Sequence, residues 1–304
     1  MVNESSYLLI YRGNNMKRCL WMASAAALLA VMPTVVKAAT CPGNSKALGV
    51  SRTVEIDTKG GPAFGFGHYK IHDFLRPNEV VLTFDDGPQK NHTEAILDQL
   101  KRHCTKATFF SIGKMALGYP EILRRVAKEG HTIGTHTWSH ANLASRKHRK
   151  NAIAEIEKGV SAVKRATGSD IAPFFRYPFL RDSNETLAHL QKRNHAIFSM
   201  DVDSFDFKFR SPSKLTSAII GKLKKNGKGI LLMHDIQPVT AKAIGRILDT
   251  LQSEGFKIVH LTAAAPAATL PEYDKEIEKS VKGLPAVGTS RPTSSVVKTI
   301  KSGG

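Results

Sequence analysis

Apolar runs of strand length recur along the middle of the chain at 80–84, 107–111, 132–135, 173–177, 196–200, 229–233 and 257–260. Between them the apolar positions switch to helical spacing. Ile153, Ile156, Val160 and Val163 fall three or four apart, and Ile244, Ile247, Leu248 and Leu251 share one helix face. Pro120 opens a further helix that Gly130 closes. Strands alternating with helices predict a parallel sheet with right-handed crossovers, either open or closed into a barrel.

The pattern is weaker at both ends. Residues 39–75 form an arm with one β-like stretch, Thr53 to Asp57, and a glycine-rich run from Gly60 to Gly67. That run lacks both the GxGxxG spacing and a following helix, so it is not a nucleotide loop. The arm is expected to be irregular with at most a hairpin. Residues 266–304 are rich in Pro, Ser, Thr, Gly and Lys and show no sustained period, which predicts a disordered basic tail carrying Lys275, Lys279, Lys282, Arg291, Lys298 and Lys301. Residues 76–265 are left as the main domain.

The first 38 residues resemble an export signal. Lys17 and Arg18 precede an apolar stretch from Leu20 to Met32, and Val36-Lys37-Ala38 has the small residues of a cleavage site. Met16 is a candidate true start. The apolar stretch is short for a membrane span, which needs ~20 residues, so no stable insertion is expected once the signal is removed. Thr40 before Cys41 fits a lipid-anchoring signal poorly. The expected location is periplasmic or extracellular.

Charge and cysteines add to this. The net charge is +18, and residues 1–38 account for three of those charges, which leaves +15 beyond them. Such an excess favours anionic partners, but the basic residues are scattered and carry no nucleic-acid motif, so a solvated basic surface is the plainer reading. Cys19 belongs to the signal. Cys41 and Cys104 remain, and an oxidising compartment favours one disulfide between them over two unpaired thiols.

The chemistry collects where strands end. Val80 to Phe84 run into Asp85-Asp86-Gly87-Pro88; His136 and His140 follow the third strand; Arg176 ends the fourth; Asp203 and Asp206 follow the fifth; and His234-Asp235 follows the sixth. Parallel α/β sheets keep their active groups at this edge. Two adjacent buried carboxylates are costly without a cation. Two histidines four apart, read as one side of a helical turn, would supply two nitrogens beside one carboxylate, a three-ligand set with an open position as in hydrolytic zinc sites. The HExxH signature is absent, so a zincin protease is not indicated. The second aspartate can then act as base, His234 as general acid, Asp206 as its support and Arg176 as the charge that keeps the base ionised. Arg176, Asp203 and Asp206 each also fit a buried salt-bridge network.

Five segments in order carry a resemblance: Thr83-Phe84-Asp85-Asp86-Gly87, His136-Thr137-Trp138-Ser139-His140, Arg176-Tyr177-Pro178-Phe179, Asp203-Ser204-Phe205-Asp206-Phe207 and Leu232-Met233-His234. Together they resemble the motifs of NodB-type polysaccharide deacetylases, carbohydrate esterase family four. The resemblance implies a distorted seven-stranded (β/α) barrel and metal-dependent removal of acetyl groups from N-acetylated glycans, with zinc first and cobalt or another divalent ion as alternatives. It makes Asp85 the base and Asp86, His136 and His140 the metal ligands. It further implies that Arg176 tethers the base, the Phe179 N–H helps hold the oxyanion, Asp206 orients the acid His234, and Leu232, Phe207 and Trp138 line the substrate pocket. Phe179 stands where the family usually has Tyr and Phe207 where it usually has Trp, which bears on substrate fit more than on catalysis. The expectation is therefore a monomeric, exported deacetylase of chitin-like or peptidoglycan glycans. An O-deacetylase or an inactive carbohydrate-binding homologue is the alternative, and nucleic acid is not an expected partner.

Overall fold

The computed structural model describes residues 41–282; the predicted signal segment and the far end of the predicted tail lie outside the described residues. The described chain runs β1 (Arg52–Ile56), β2 (Ala63–Phe64), β3 (Glu79–Asp85), α1 (His92–Arg102), β4 (Thr108–Ser111), α2 (Gly113–Gly118), α3 (Pro120–Lys128) and β5 (Thr132–Thr135). It continues through α4 (Ala152–Thr167), β6 (Phe174–Phe175), α5 (Asn184–Lys192), β7 (Ala196–Phe198), β8 (Val202–Asp203), α6 (Pro212–Asn226), β9 (Gly229–His234), α7 (Pro238–Ser253), β10 (Lys257–Ala263) and α8 (Pro271–Lys282). Each apolar run singled out in the sequence contains a strand.

Every strand pair is parallel. The order is β1-β10-β3-β4-β5-β6-β7-β2, with β9 also paired to β3 and β8 to β9. Alternation along the strands sorts side chains between two layers. Val80, Leu82 and Phe84 of β3 join the large cluster shared with the helices. Val81 joins a second cluster with Phe110, Phe174, Phe198 and Ile230, all from strands, which marks the concave interior of the curled sheet. The same parity carries Thr83 and Asp85 inward on β3, and Leu232 and His234 inward on β9. The interior face thus turns from apolar to polar towards the strand ends.

The hydrogen-bonded circuit is not closed, because among the described residues no ladder joins β7 to β8. Arg176 occupies that opening. Its Nε donates to the carbonyl of Phe198 at 3.2 Å and its Nη2 to that of Ser199 at 2.8 Å, at the end of β7.

Three expectations are corrected. The arm is neither irregular nor a hairpin: β1 adds in parallel to β10 along five residues, and β2 adds in parallel to β7. Parallel addition needs partners far away in sequence, which local periodicity does not reveal. The tail is not disordered from residue 266, since Pro271–Lys282 forms α8 and its Ile277 is buried in the helix-layer core. A single apolar anchor among charged residues gives too little pattern to read in advance. The two histidines do not share a helical turn. They sit in a loop after β5, where Thr137 (φ 66°) and His140 (φ 60°) take left-handed backbone. Gly159 of α4 lets this loop approach closely, because a Cβ there would lie 2.7 Å from the Thr137 carbonyl carbon.

Candidate metal and acid–base site

Asp85 and Asp86 diverge because the backbone turns between them. Asp85 ends β3 with its side chain on the interior face, whereas Asp86 has φ 81° and leaves the strand. Asp85 Oδ1 accepts from Arg176 Nη1 at 2.7 Å, and the same nitrogen donates to Thr83 Oγ1 at 2.7 Å. Arg176 is fully buried, and its guanidinium lies 4.3 Å from the Phe110 ring centre. Burial pushes the Asp85 carboxyl up to about 6, against the opposing charges of Arg176 and His234.

Asp86 Oδ1 lies 3.5 Å from His136 Nε2 and 3.3 Å from His140 Nε2. His136 Nδ1 lies 2.7 Å from the Arg176 carbonyl, which can only accept, so the ring hydrogen sits on Nδ1 and Nε2 presents a lone pair. Burial, and then the neighbouring His140, hold His136 well below its usual range, so it is neutral. A carboxylate oxygen facing a bare imidazole nitrogen has nothing to share. Asp86 Oδ1 is indeed buried without a hydrogen-bond partner. The three ligand atoms lie within 4.8 Å of one another. This donor set fits a divalent cation.

The register of β3 against β9 places His234 directly beside Asp85. His234 Nδ1 is 2.7 Å from Asp206 Oδ1, and its backbone N–H donates to Asp206 Oδ2 at 2.7 Å. Thr240 Oγ1 donates to the same oxygen at 2.6 Å. Burial opposes the charged imidazole, but Asp206 outweighs it and raises His234 to about 10. Burial likewise opposes an ionised Asp206, and the His234 charge with its hydrogen bonds holds that carboxyl below its usual value. The free Nε2 of a cationic imidazole is thereby available to donate.

Two exposed aromatic rings flank these groups. Phe179, in the Pro178–Leu180 turn with φ 59°, is 57% exposed and has its ring centre 4.7 Å from that of His140. Phe207 is 45% exposed and meets His234 edge-on at 5.8 Å. Leu232 is buried on β9 between Thr83 and Asp203 in register, one interior position below His234.

Two singled-out residues are not gathered here. Asp203 Oδ1 accepts from the Phe205 N–H at 2.8 Å and so shapes a turn, with no ion pair among the described residues. Trp138 packs against the helix-layer core, and its backbone bonds to Glu155 and Lys114 fasten the histidine loop. Sequence reasoning missed three supports. Thr83 bridges Arg176 to the carbonyl of Leu231. Glu155 accepts from the N–H and the hydroxyl of Ser139, although by position it reads as an ordinary helix acid. Asp235 was visible beside His234 but had no assigned task. It is buried against Gly87, where a Cβ would lie 2.0 Å from its Oδ2, and it accepts from Thr93. Burial raises its carboxyl to about 7.

Fold and site together define a parallel α/β protein in which Asp86, His136 and His140 form a candidate three-ligand cation site beside the Asp85 carboxylate and the His234 imidazole. Residues 74–197 match the family model described as polysaccharide deacetylase. A chitooligosaccharide deacetylase from Bradyrhizobium is 30% identical over 61% of this chain and 90% of its own length. The chain therefore belongs to the polysaccharide deacetylase family. A peptidoglycan-N-acetylglucosamine deacetylase from Bacillus cereus is 35% identical over 60% of the chain, and the match spans 66% of that relative. A peptidoglycan deacetylase structure from Bdellovibrio bacteriovorus superposes with a TM-score of 0.66 at 34% identity, covering 75% of this chain and 62% of that one.

Proposed function

We propose that this protein is a metal-dependent hydrolase that removes N-acetyl groups from N-acetylglucosamine-containing glycans. The observation that carries the reading is the split of the aspartate pair: Asp86 Oδ1 is left without a partner against two imidazoles, while Asp85 is held by Arg176 beside His234. Asp86, His136 and His140 would hold the cation, for which two nitrogens and one carboxylate favour zinc. When bound, such an ion polarises a carbonyl and acidifies water.

The remaining work falls to the chain. Asp85 accepts the proton of the attacking water at its carboxylate. Arg176 keeps that carboxylate ionised and aimed. The backbone N–H of Phe179 donates to the oxygen that becomes negative. His234, cationic at neutral pH, donates from Nε2 to the departing nitrogen while Asp206 accepts from its Nδ1–H and orients the ring. An amine leaving group needs that proton more than an alkoxide does, which favours N- over O-deacetylation. Leu232 offers an apolar wall for the acetyl methyl, and Phe179 and Phe207 offer faces for sugar rings. The predicted signal and the Cys41–Cys104 disulfide support export to an oxidising compartment.

The test is acetate release from N-acetylglucosamine oligomers by zinc-loaded protein, with and without chelator. Release that chelation abolishes is expected. No release from any N- or O-acetylated glycan would sink the reading.

A further inference from the structure

The segment that follows the histidine loop carries four cations in five positions: Arg146, Lys147, Arg149 and Lys150, around His148. All four are exposed, and none has an acidic partner among the described residues. Some surface lysines elsewhere pair, as Lys158 does with Glu276 and Lys224 with Glu254, and what sets this run apart is four exposed cations within five positions. The acids on adjoining elements are committed: Glu155 to Ser139, and Asp182 to the hydroxyl of Tyr69.

The run is also held in place. The Ser145 hydroxyl and N–H donate to the Asn142 carbonyl, and the N–H groups of His148 and Arg149 donate to that of Ser145. Leu143 before it and Ala152 after it are buried in one cluster with Tyr177, two residues from Phe179. Both ends of the loop are thus packed in the cluster that holds Tyr177, and the loop continues directly from His140. On the His234 side, Lys208 is exposed and lacks an acidic partner among the described residues. Its ammonium lies 4.4 Å from the Phe205 ring centre and 5.7 Å from that of Phe207. Exposed positive charge thus follows the His140 ligand along the chain and also lies beside Phe207, the ring that meets His234.

We infer that the Arg146–Lys150 loop, with Lys208 opposite, is a docking surface for a glycan strand that bears carboxylates, so that the preferred substrate is an anionic N-acetylated polymer rather than a neutral one. Unpaired cations lose little on meeting carboxylates, and their long side chains can follow irregularly spaced charges. The inference rests on the proposed deacetylase reading in taking the docked strand to be the one deacetylated.

The experiment compares three soluble ligands: N-acetylated glycan fragments with carboxylated sugars, the same fragments with carboxyls capped as amides, and neutral N-acetylglucosamine oligomers. Retention of zinc-loaded protein on each immobilised ligand and the KM for acetate release are both read. Wild-type protein should hold the carboxylated fragments about tenfold more tightly than the capped ones. This margin should collapse at high salt, where the screening length falls to ~3 Å near 1 M. The combined Arg146→Ser, Lys147→Ser, Arg149→Ser and Lys150→Ser variant should lose most of the margin while keeping wild-type turnover of neutral oligomers. Lys208→Gln should lose part of it. Equal retention of carboxylated and capped fragments by the wild type overturns the inference, as does a loop variant that keeps the margin. Charge-dependent retention with no acetate release from any ligand would uphold the dock and defeat the deacetylase reading, so the two fail separately.

Discussion

Arg176 Nη1 and Asp85 Oδ1 lie 2.7 Å apart with both side chains buried, and the other guanidinium bonds reach the carbonyls of Phe198 and Ser199 where the sheet circuit is open. One residue thus closes a gap in the fold and charges the proposed base. Arg176→Met should cost roughly 3–5 kcal/mol, the usual result of leaving a buried charge unpaired, measured by denaturant unfolding. The sign for activity follows from Asp85. Burial raises its carboxyl to about 6 without a cation and it must be ionised to act, so kcat/KM should rise with pH along an acid limb that a cation on Asp86 holds below that value. Removing the positive charge raises the carboxyl further, so the acid limb should move to higher pH.

The aspartate pair should respond asymmetrically. Asp86→Asn removes the unpartnered oxygen and should weaken metal binding by at least tenfold, read by metal analysis after dialysis. Asp85→Asn should keep the metal and lower kcat by about 10²–10⁴. Equal metal loss in both variants would overturn the division of roles.

Asp206 holds His234 through both the ring and the backbone. Asp206→Asn removes the charge that raises the imidazole to about 10. His234 would then lose its proton at lower pH, and the alkaline limb of kcat/KM should move down. An alkaline limb that stays in place would remove His234 as the acid.

Stability should fall on mild acidification. Burial holds His131 at about 3 and His195 at about 4, whereas an unfolded imidazole protonates near ~6.5. Below that value the unfolded chain binds protons that the fold refuses. The stability these two histidines contribute is therefore full above ~6.5 and declines towards pH 4, at about 1.4 kcal/mol per pH unit for each, partly offset by Asp85 and Asp235, whose raised carboxyls take up protons in the fold first. Denaturant midpoints between pH 7 and pH 5 check this, and His131→Leu should flatten the slope.

The disulfide joins Cys41 to Cys104 across 63 residues and ties the segment before β1 to the end of α1. Restricting the unfolded chain over such a loop is worth about 4 kcal/mol. Cys41→Ser with Cys104→Ser should lower the melting temperature without changing the metal content.

Much of this protein is readable in one dimension because period and position are local. The runs ending in Asp85, Arg176 and His234 announce buried strands, and parallel strands place their ends on a common edge, so the gathering of these three residues at one edge follows from the sequence. Adjacency to a strand end did not separate Asp203, which shapes a turn, from Asp206, which holds the imidazole. Nor did an HxxxH spacing reveal that left-handed backbone at Thr137 and His140, rather than a helical turn, aims the two rings at Asp86. The parallel addition of β1 to β10, the docking of α8 through Ile277, and the lack of acidic partners for the Arg146–Lys150 run among the described residues were decided only in three dimensions. Each depends on contacts between residues distant in sequence, and the closing geometry, not the pattern that precedes it, determines which charges meet a partner and which are left without one.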